Sequence, residues 1–278
     1  MPVKIVTDSS CDLPDDLLEE LDISIVPLTV RFGDEEFVDR VELKTDEFWR
    51  RSKASSVLPE TAAPSPGAFE TAYRGAKANG YDAVVVINLS GELSATIQAA
   101  DAAARAVADD ITVEVVDSRT VSMGLGSLVL RAARLAKGGA DASDIAAQIR
   151  DAAARTRMVA ALDTLENLKK GGRIGGAASM LGSLLSIKPI IEVIDGKVES
   201  NSKQRTRAKA LQFLVDSVAK AGEVENLAVM HAQCDDLESF LSKLRESYDG
   251  EIVVGEIGAV IGAHAGIGAI GFTYQVPA

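Results

Sequence analysis

Ala83-Val84-Val85-Val86-Ile87-Asn88-Leu89 carries no charge and passes directly into Ser90-Gly91-Glu92-Leu93-Ser94-Ala95-Thr96. A short apolar run bounded by turn residues reads as a strand buried on both faces. From about Ala95 to Val107 the apolar spacing turns helical, and Thr112–Asp117 is strand-like again. Strand, loop, helix and strand in that order make one unit of a parallel sheet. Upstream, Val3–Thr7 repeats the buried-strand pattern and leads through Asp8-Ser9-Ser10-Cys11-Asp12 to a helix from Pro14 to about Leu21. Ile23–Phe32 and Glu36–Val38 read as strands meeting at Gly33-Asp34. Thr45–Ser55 reads as a helix with Thr45 as its cap. Further helices are predicted over about Gly67–Asn79, Ser122–Ala136 and Ala142–Ala154.

Ligands of such sheets gather at the carboxyl ends of the strands. Asp8-Ser9-Ser10, Asn88–Ser94 and Asp117-Ser118-Arg119 all fall at predicted strand ends, so they are expected on one edge. Beyond about Met158 the pattern changes. Met158–Leu162 and Leu227–His231 read as strands, and Leu165–Lys170, Thr206–Ala221 and Asp235–Tyr248 as helices. Ile190–Ile194 and Lys197–Ser202 form a hairpin about Asp195-Gly196, and Ile252–Gly255 is another strand. The expected fold is α/β, with a mostly parallel sheet and flanking helices over residues 1–157 and a second α+β domain over 158–278. A segment near residues 60–75 is expected to exchange between them.

The 278 residues include 47% hydrophobic but only 4% aromatic side chains, and the net charge is −12. Few stacking platforms and an acidic balance oppose nucleic-acid binding. Cys11 and Cys234 have no metal or redox spacing, and no basic-then-apolar leader precedes Val3, so a cytoplasmic protein with reduced thiols is expected. Ile257–Ala278 lacks Asp, Glu, Lys and Arg, a length that could span a bilayer. Its five glycines, His264 and the β-rich Phe272–Val276 favour strand–loop–strand in a soluble core, with at most transient membrane contact.

Two hydroxyl-rich loops run towards helices: Thr61-Ala62-Ala63-Pro64-Ser65-Pro66-Gly67 and Asn88–Thr96. Hydroxyls beside free helix N–H groups suit a small acid. His264, in Gly262-Ala263-His264-Ala265-Gly266, is the one ionisable side chain of the uncharged tail apart from Tyr274. It reads either as a hydrogen-bond donor to an acid or as a satisfied core residue, and His231 reads as structural. Two tracts without acids carry Lys169, Lys170, Arg173 and Lys188, then Lys203, Arg205, Arg207 and Lys209. They could form one positive patch for a phosphate or an acidic partner, or simply complement helix ends. Arg173 stands between Gly171-Gly172 and Gly175-Gly176, where a backbone can approach a ligand or partner closely.

Gly266-Ile267-Gly268-Ala269-Ile270-Gly271 matches a dinucleotide fingerprint, but too little chain follows for the strand and acid such a site needs. No phosphate-loop Lys-Ser/Thr motif occurs, so ATP binding is not expected, nor is any cofactor. A serine-dependent acyl hydrolase using Ser90 or Ser94 with His264 and Asp8 or Asp117 is the rival reading, without a Gly-x-Ser-x-Gly elbow. Two histidines supply a metal site poorly. Met180-Leu181, Leu184-Leu185, Ile187, Ile190-Ile191 and Val260-Ile261 could line a lipid cavity, or be core. A carrier of another apolar carboxylic acid remains open.

Val6-Thr7-Asp8-Ser9-Ser10-Cys11-Asp12-Leu13-Pro14, the Thr61–Phe69 loop, Leu89–Gln98, Val116–Thr120, Leu165–Ile174, Lys188-Pro189-Ile190, Gly196-Lys197 with Arg205, and Gly262–Gly266 occur in the order found in one family. The chain resembles the DegV family of bacterial fatty-acid-binding proteins over its whole length. The resemblance implies two α/β domains with a long-chain fatty acid between them. It implies that Thr61, Ser94 and His264 hold the carboxylate. It further implies a non-catalytic lipid-presenting subunit of a fatty acid kinase, whose separate ATP-binding partner resembles dihydroxyacetone kinase and makes the acyl phosphate for phospholipid synthesis. Arg173 matches the family arginine that engages the kinase, with Lys203 and Arg205 as further docking or phosphate candidates. Ala62-Ala63 replace the common Ser-Gln, Gly91-Glu92 the usual Ser-Gly, and Ala95 a common glycine. Glu92 would repel a carboxylate unless it points outward.

Overall fold

The computed structural model describes residues 2–182 and 187–277. β1 (Val3–Asp8) is buried along its length, as a strand covered on both faces must be. α1 (Asp15–Glu20) follows Pro14, and Asp15 and Asp16 lie in its first turn, where the helix dipole favours acids. β2 (Ser24–Val26) pairs in parallel with β1. The single predicted strand Ile23–Phe32 is in fact two. Pro27 has no N–H for a ladder, and β3 (Thr29–Phe32) leaves to pair with β4 (Glu35–Val38) and β5 (Glu60–Ala62) in a separate antiparallel sheet.

α2 (Thr45–Ala54) starts one residue before expectation: Lys44 is the capping residue and Thr45 lies inside the helix, with no side-chain cap bond. α3 (Pro66–Ala78) is capped by Ser65, whose Oγ accepts from Ala68 N at 3.3 Å, and opens with proline. β6 (Ala83–Asn88), α4 (Thr96–Ala106) and β7 (Thr112–Asp117) follow. α5 (Met123–Lys137) and α6 (Ala142–Arg155) then complete a parallel sheet of order β2-β1-β6-β7 with its helices.

β8 (Thr156–Ala161) begins a second sheet. It continues through α7 (Glu166–Lys170), a 3-10 turn at Gly175–Met180, β9 (Lys188–Ile194), β10 (Lys197–Gln204), α8 (Arg207–Ala221), β11 (Glu225–His231), α9 (Leu237–Arg245) and β12 (Val253–Glu256). α10 (Ala259–Ala265) and β13 (Ile270–Gln275) close the chain. The order is β10-β9-β8-β13-β11-β12, antiparallel except for β11 with β12. One face of this sheet packs Val159, Ala161, Ile190 and Phe272 against Leu214 of α8 and Phe240 of α9. The other, with Met158, Ala160, Ile191 and Met230, joins a core shared with Ile5 of β1, Leu89 just after β6 and Met123 of α5. Alternation along β8 divides the two faces, since neighbouring strand residues point oppositely.

Two departures matter for the site. The uncharged tail is helix then strand, not strand–loop–strand: α10 carries His264, and only β13 joins the sheet. The dinucleotide-like glycines merely turn the chain into β13, with φ of 75° at Gly266 and 78° at Gly268. Within residues 29–62, α2, β3 and β5 touch α10. α3, by contrast, packs Phe69 and Tyr73 on the first sheet.

Candidate functional site

Between the two sheets lies an apolar tunnel enclosing about 990 Å³, mouth included. Its walls come from β8 and β9 (Met158, Ala160, Ile191, Val193), from the loop after β6 (Leu89, Leu93), and from Val260 and Ile261 of α10. Of the apolar candidates, Ile191, Val260 and Ile261 line it. Ile190 faces the other core, Met180 is buried in the shared core, and Leu181 is exposed. Leu184 and Leu185 lie outside the described residues.

One end of the tunnel is polar. Thr61 and His264 come from opposite ends of the sequence, yet Thr61 Oγ1 and His264 Nε2 are 2.9 Å apart. β3 brings this about by pairing Val30 with Thr61, and α10 lies against β3 and β5. Thr61 is thus a strand residue, not a hydroxyl beside a helix N-terminus. Ser94, lining the same tunnel, shares a hydrogen bond with Thr96 Oγ1 at 2.9 Å and accepts from Thr96 N at 3.3 Å, at the start of α4.

Arg173 closes this end. Its Nε donates to Leu93 O at 3.0 Å and one Nη to Gly171 O at 2.7 Å. Thr61, Arg173 and His264 also border a second, polar recess that includes Asn167 and Lys170. The polar end of the tunnel therefore meets the surface where Arg173 sits. The glycines around Arg173 approach the chain itself. A Cβ at Gly171 would overlap His264 Nδ1, and one at Gly175, where φ is 49°, would overlap Val198 O. They let the 171–176 loop lie on α10 and β10.

Burial, and then the nearby Arg173 charge, hold His264 down to about 4, so the imidazole is neutral at neutral pH. With the proton on Nε2 it donates to Thr61 Oγ1, which frees the hydroxyl proton for a ligand oxygen. Nδ1 is buried without a hydrogen-bond partner.

Stability then responds to pH with opposite signs. His264 binds its proton more readily in the unfolded chain, so stability is lost as pH falls from about 6.5 towards 4. Burial raises Asp12 to about 7 and Asp39 to about 6, from 3.8. Their protonated forms favour the fold, so that contribution is full below about 4 and lost as pH rises through 6 and 7. His264→Gln is expected to steepen the fall of thermal stability from about pH 4 to 6.5, because the opposing contribution of His264 is removed while those of Asp12 and Asp39 remain. An equal or shallower slope in melting curves across that range would contradict the assignment.

The other candidates separate. Glu92 is exposed and its carboxylate is 3.3 Å from Lys197 Nζ, so it points away from the tunnel. Lys203 and Arg205 are exposed near the end of β10 and line neither the tunnel nor its mouth. The basic tracts are not one free patch. Lys170 pairs with Glu166, Lys188 with Asp163, and Arg207 with Asp236. The hydrolase arrangement is not formed: Ser90 Oγ donates to Gly196 O at 2.7 Å, and His264 meets Thr61 instead of either serine. Asp8 and Asp117 accept from backbone N–H groups of Leu89 and Arg119. What sequence reading missed is β5, its pairing with β3 and their contact with α10. The alternation in Thr29–Phe32 hinted at a sheet, but nothing local named its partner.

A family model described as "Uncharacterised protein, DegV family" matches residues 2–276. The chain belongs to the DegV family. A DegV domain-containing protein of Streptomyces coelicolor is 37% identical over 278 residues, 97% of this chain and 96% of its own. Among solved structures, a DegV family protein from Thermus thermophilus, described as fatty acid binding, superposes with a TM-score of 0.88 at 33% identity, covering 99% of this chain and 100% of that one. DegV of Bacillus subtilis, described as a fatty acid binding protein, gives 0.89 at 32% identity with full coverage of both chains. The mixed α/β architecture is that of these DegV proteins. Among the described residues of this DegV chain no helix is long and apolar enough to cross a membrane, and no group of three or more acids, histidines and cysteines is placed to hold a metal.

Proposed function

We propose that this DegV protein encloses a long-chain fatty acid in the tunnel and presents its carboxylate at the mouth to a separate ATP-dependent kinase subunit, which forms the acyl phosphate. The observation that carries the reading is an apolar tunnel ending in a paired threonine and neutral histidine. Burying the acyl chain contributes about 0.8 kcal/mol per methylene, so the walls supply affinity and the polar end supplies orientation. Thr61 and Ser94 offer hydroxyl protons to the carboxylate and His264 orients Thr61, while Arg173, held by Leu93 O and Gly171 O, faces the partner. The protein itself catalyses nothing on this reading: the nucleophilic carboxylate belongs to the ligand and the phosphate donor to the partner. Resemblance to DegV relatives described as fatty acid binding supports the ligand class. The kinase partner, related to dihydroxyacetone kinase, rests on Arg173 standing at a solvent-facing recess. Lys203 and Arg205 would extend its contact along β10.

Native mass spectrometry of the purified protein should show one co-purified fatty acid, and delipidated protein should take up palmitate or oleate. Failure of both would end the proposal. A short or aromatic acid in the extract would point instead to another apolar carboxylic acid. Arg173→Ala is expected to leave lipid content intact but lower acyl-phosphate formation with the partner kinase by about tenfold or more, as loss of a charged hydrogen-bonding contact does. Loss of lipid in that variant would show that Arg173 holds ligand and not partner.

A further inference from the structure

The loop Asp8-Ser9-Ser10-Cys11-Asp12 does not line the tunnel, yet it is buried throughout. Three of its side chains each hold a different wall. Asp8 accepts from Leu89 N at 2.9 Å and Asn88 Nδ2 at 3.0 Å, at the root of the loop that carries Leu93 and Ser94. Ser9 Oγ accepts from Leu28 N at 3.1 Å, and Leu28 lines the tunnel. Asp12 accepts from Gly258 N at 2.9 Å with one oxygen and from Ser122 Oγ at 2.6 Å with the other. Gly258 caps the N-terminus of α10, and Ser122 follows the tunnel residue Val121.

The join at Asp12 is close. A Cβ at Gly258 would lie 3.0 Å from Asp12 Oδ1, and one at Gly255 would lie 2.5 Å from Asp12 O. Asp12 itself has φ of 51°, a left-handed conformation unusual for a residue with a side chain. α10 is short, so a displacement at Gly258 is carried to His264 near its other end.

We propose that Asp12 is a positioning residue for the acid headgroup, setting through Gly258 and α10 where His264 meets Thr61. The inference rests on the fatty-acid reading above. With one oxygen on Gly258 N and the other on Ser122 Oγ, the Asp12 side chain ties the start of α10 to the start of α5. Burial also raises the Asp12 carboxyl to about 7, so an amide is a fair mimic of its neutral form.

The test compares palmitic acid with hexadecanol, the same chain without a carboxylate, on the delipidated full-length protein at a temperature where circular dichroism shows every variant folded. Wild type should prefer the acid. Asp12→Ala should lose about tenfold of that preference, the scale of one buried hydrogen-bonded anchor, with hexadecanol binding nearly unchanged. Asp12→Asn should keep the preference, since its amide oxygen still accepts from Gly258 N and its NH₂ can face Ser122. A general loss of structure would weaken both ligands alike, and that result, or an unchanged preference in Asp12→Ala, overturns the inference. Should Asp12→Ala fail to fold, Ser122→Ala frees one oxygen of Asp12, and the preference should fall about threefold by loss of a single bond. No change there also overturns it. If wild type binds neither ligand, or binds them equally, the fatty-acid reading fails first and the inference falls with it.

Discussion

Ala160→Phe is expected to abolish fatty-acid uptake while leaving a folded protein. Ala160 lies in β8 between Ile191 of β9 and Gly271 of β13, and its methyl faces the tunnel. The residues around it are small on one side: a Cβ at Gly271 would lie 2.7 Å from that methyl. A phenyl ring here projects from the same face as that methyl, into the lumen. Overpacking a filled core costs about 1–3 kcal/mol, but here the ring enters space that no protein atom occupies, so the cost falls below that range. The ligand pays instead. Binding to the native state stabilises by about 4 kcal/mol when ligand stands a thousandfold above its dissociation constant. The variant should therefore show no rise in Tm on adding palmitate, and no co-purified lipid by native mass spectrometry. Retention of lipid at the wild-type stoichiometry would place the acyl chain elsewhere.

The second large effect is expected at a residue outside the tunnel. Gly262→Val should drive α10 away from α2, lowering both stability and lipid binding. A Cβ at Gly262 would lie 2.6 Å from a ring carbon of Phe48 and 2.8 Å from one of Trp49. Neither ring can yield readily. Both are buried, they stack edge-on at 4.8 Å, and Trp49 Nε1 donates to Ile257 O at 3.1 Å. A branched side chain forced between them should cost about 3 kcal/mol, the upper end for overpacking. Trp49 is the sole tryptophan, so its emission reports the junction directly. A red shift together with weakened palmitate binding is the expected result. Unchanged emission and binding would mean that α10 tolerates the displacement and does not depend on α2 for its place.

Much of the frame was legible from the chain. Ala83–Ile87 is a continuous apolar run and Val3–Val6 is apolar but for Lys4, and short runs of that kind ending in polar turn residues read as strands covered on both sides. Asp195-Gly196 sits between two β-rich runs, and the hairpin β9–β10 turns there, with φ of 50° and 81°. Ser65-Pro66 marks the start of α3 by its capping oxygen and its missing N–H. The apolar content of Ile257–Ala278 was equally plain, but its period was not. Short uncharged segments rich in glycine and alanine suit helix and strand alike, and α10 became a helix because its two sides pack on the aromatic pair of α2 and on the tunnel.

Most helices and long strands, the parallel first sheet and the hydroxyl and imidazole candidates were determined by the sequence alone, because each depends on interactions a few residues apart or on the side chain itself; β5, the break at Pro27 and the helical start of the tail were not. Only the tertiary structure decided that Thr61 meets His264 across 203 residues, that Glu92 turns out to Lys197, and that Lys170, Lys188 and Arg207 already have acids of their own. Such pairings depend on which surfaces the two sheets bury against each other. That choice is made by packing over the whole chain, and no local spacing records it.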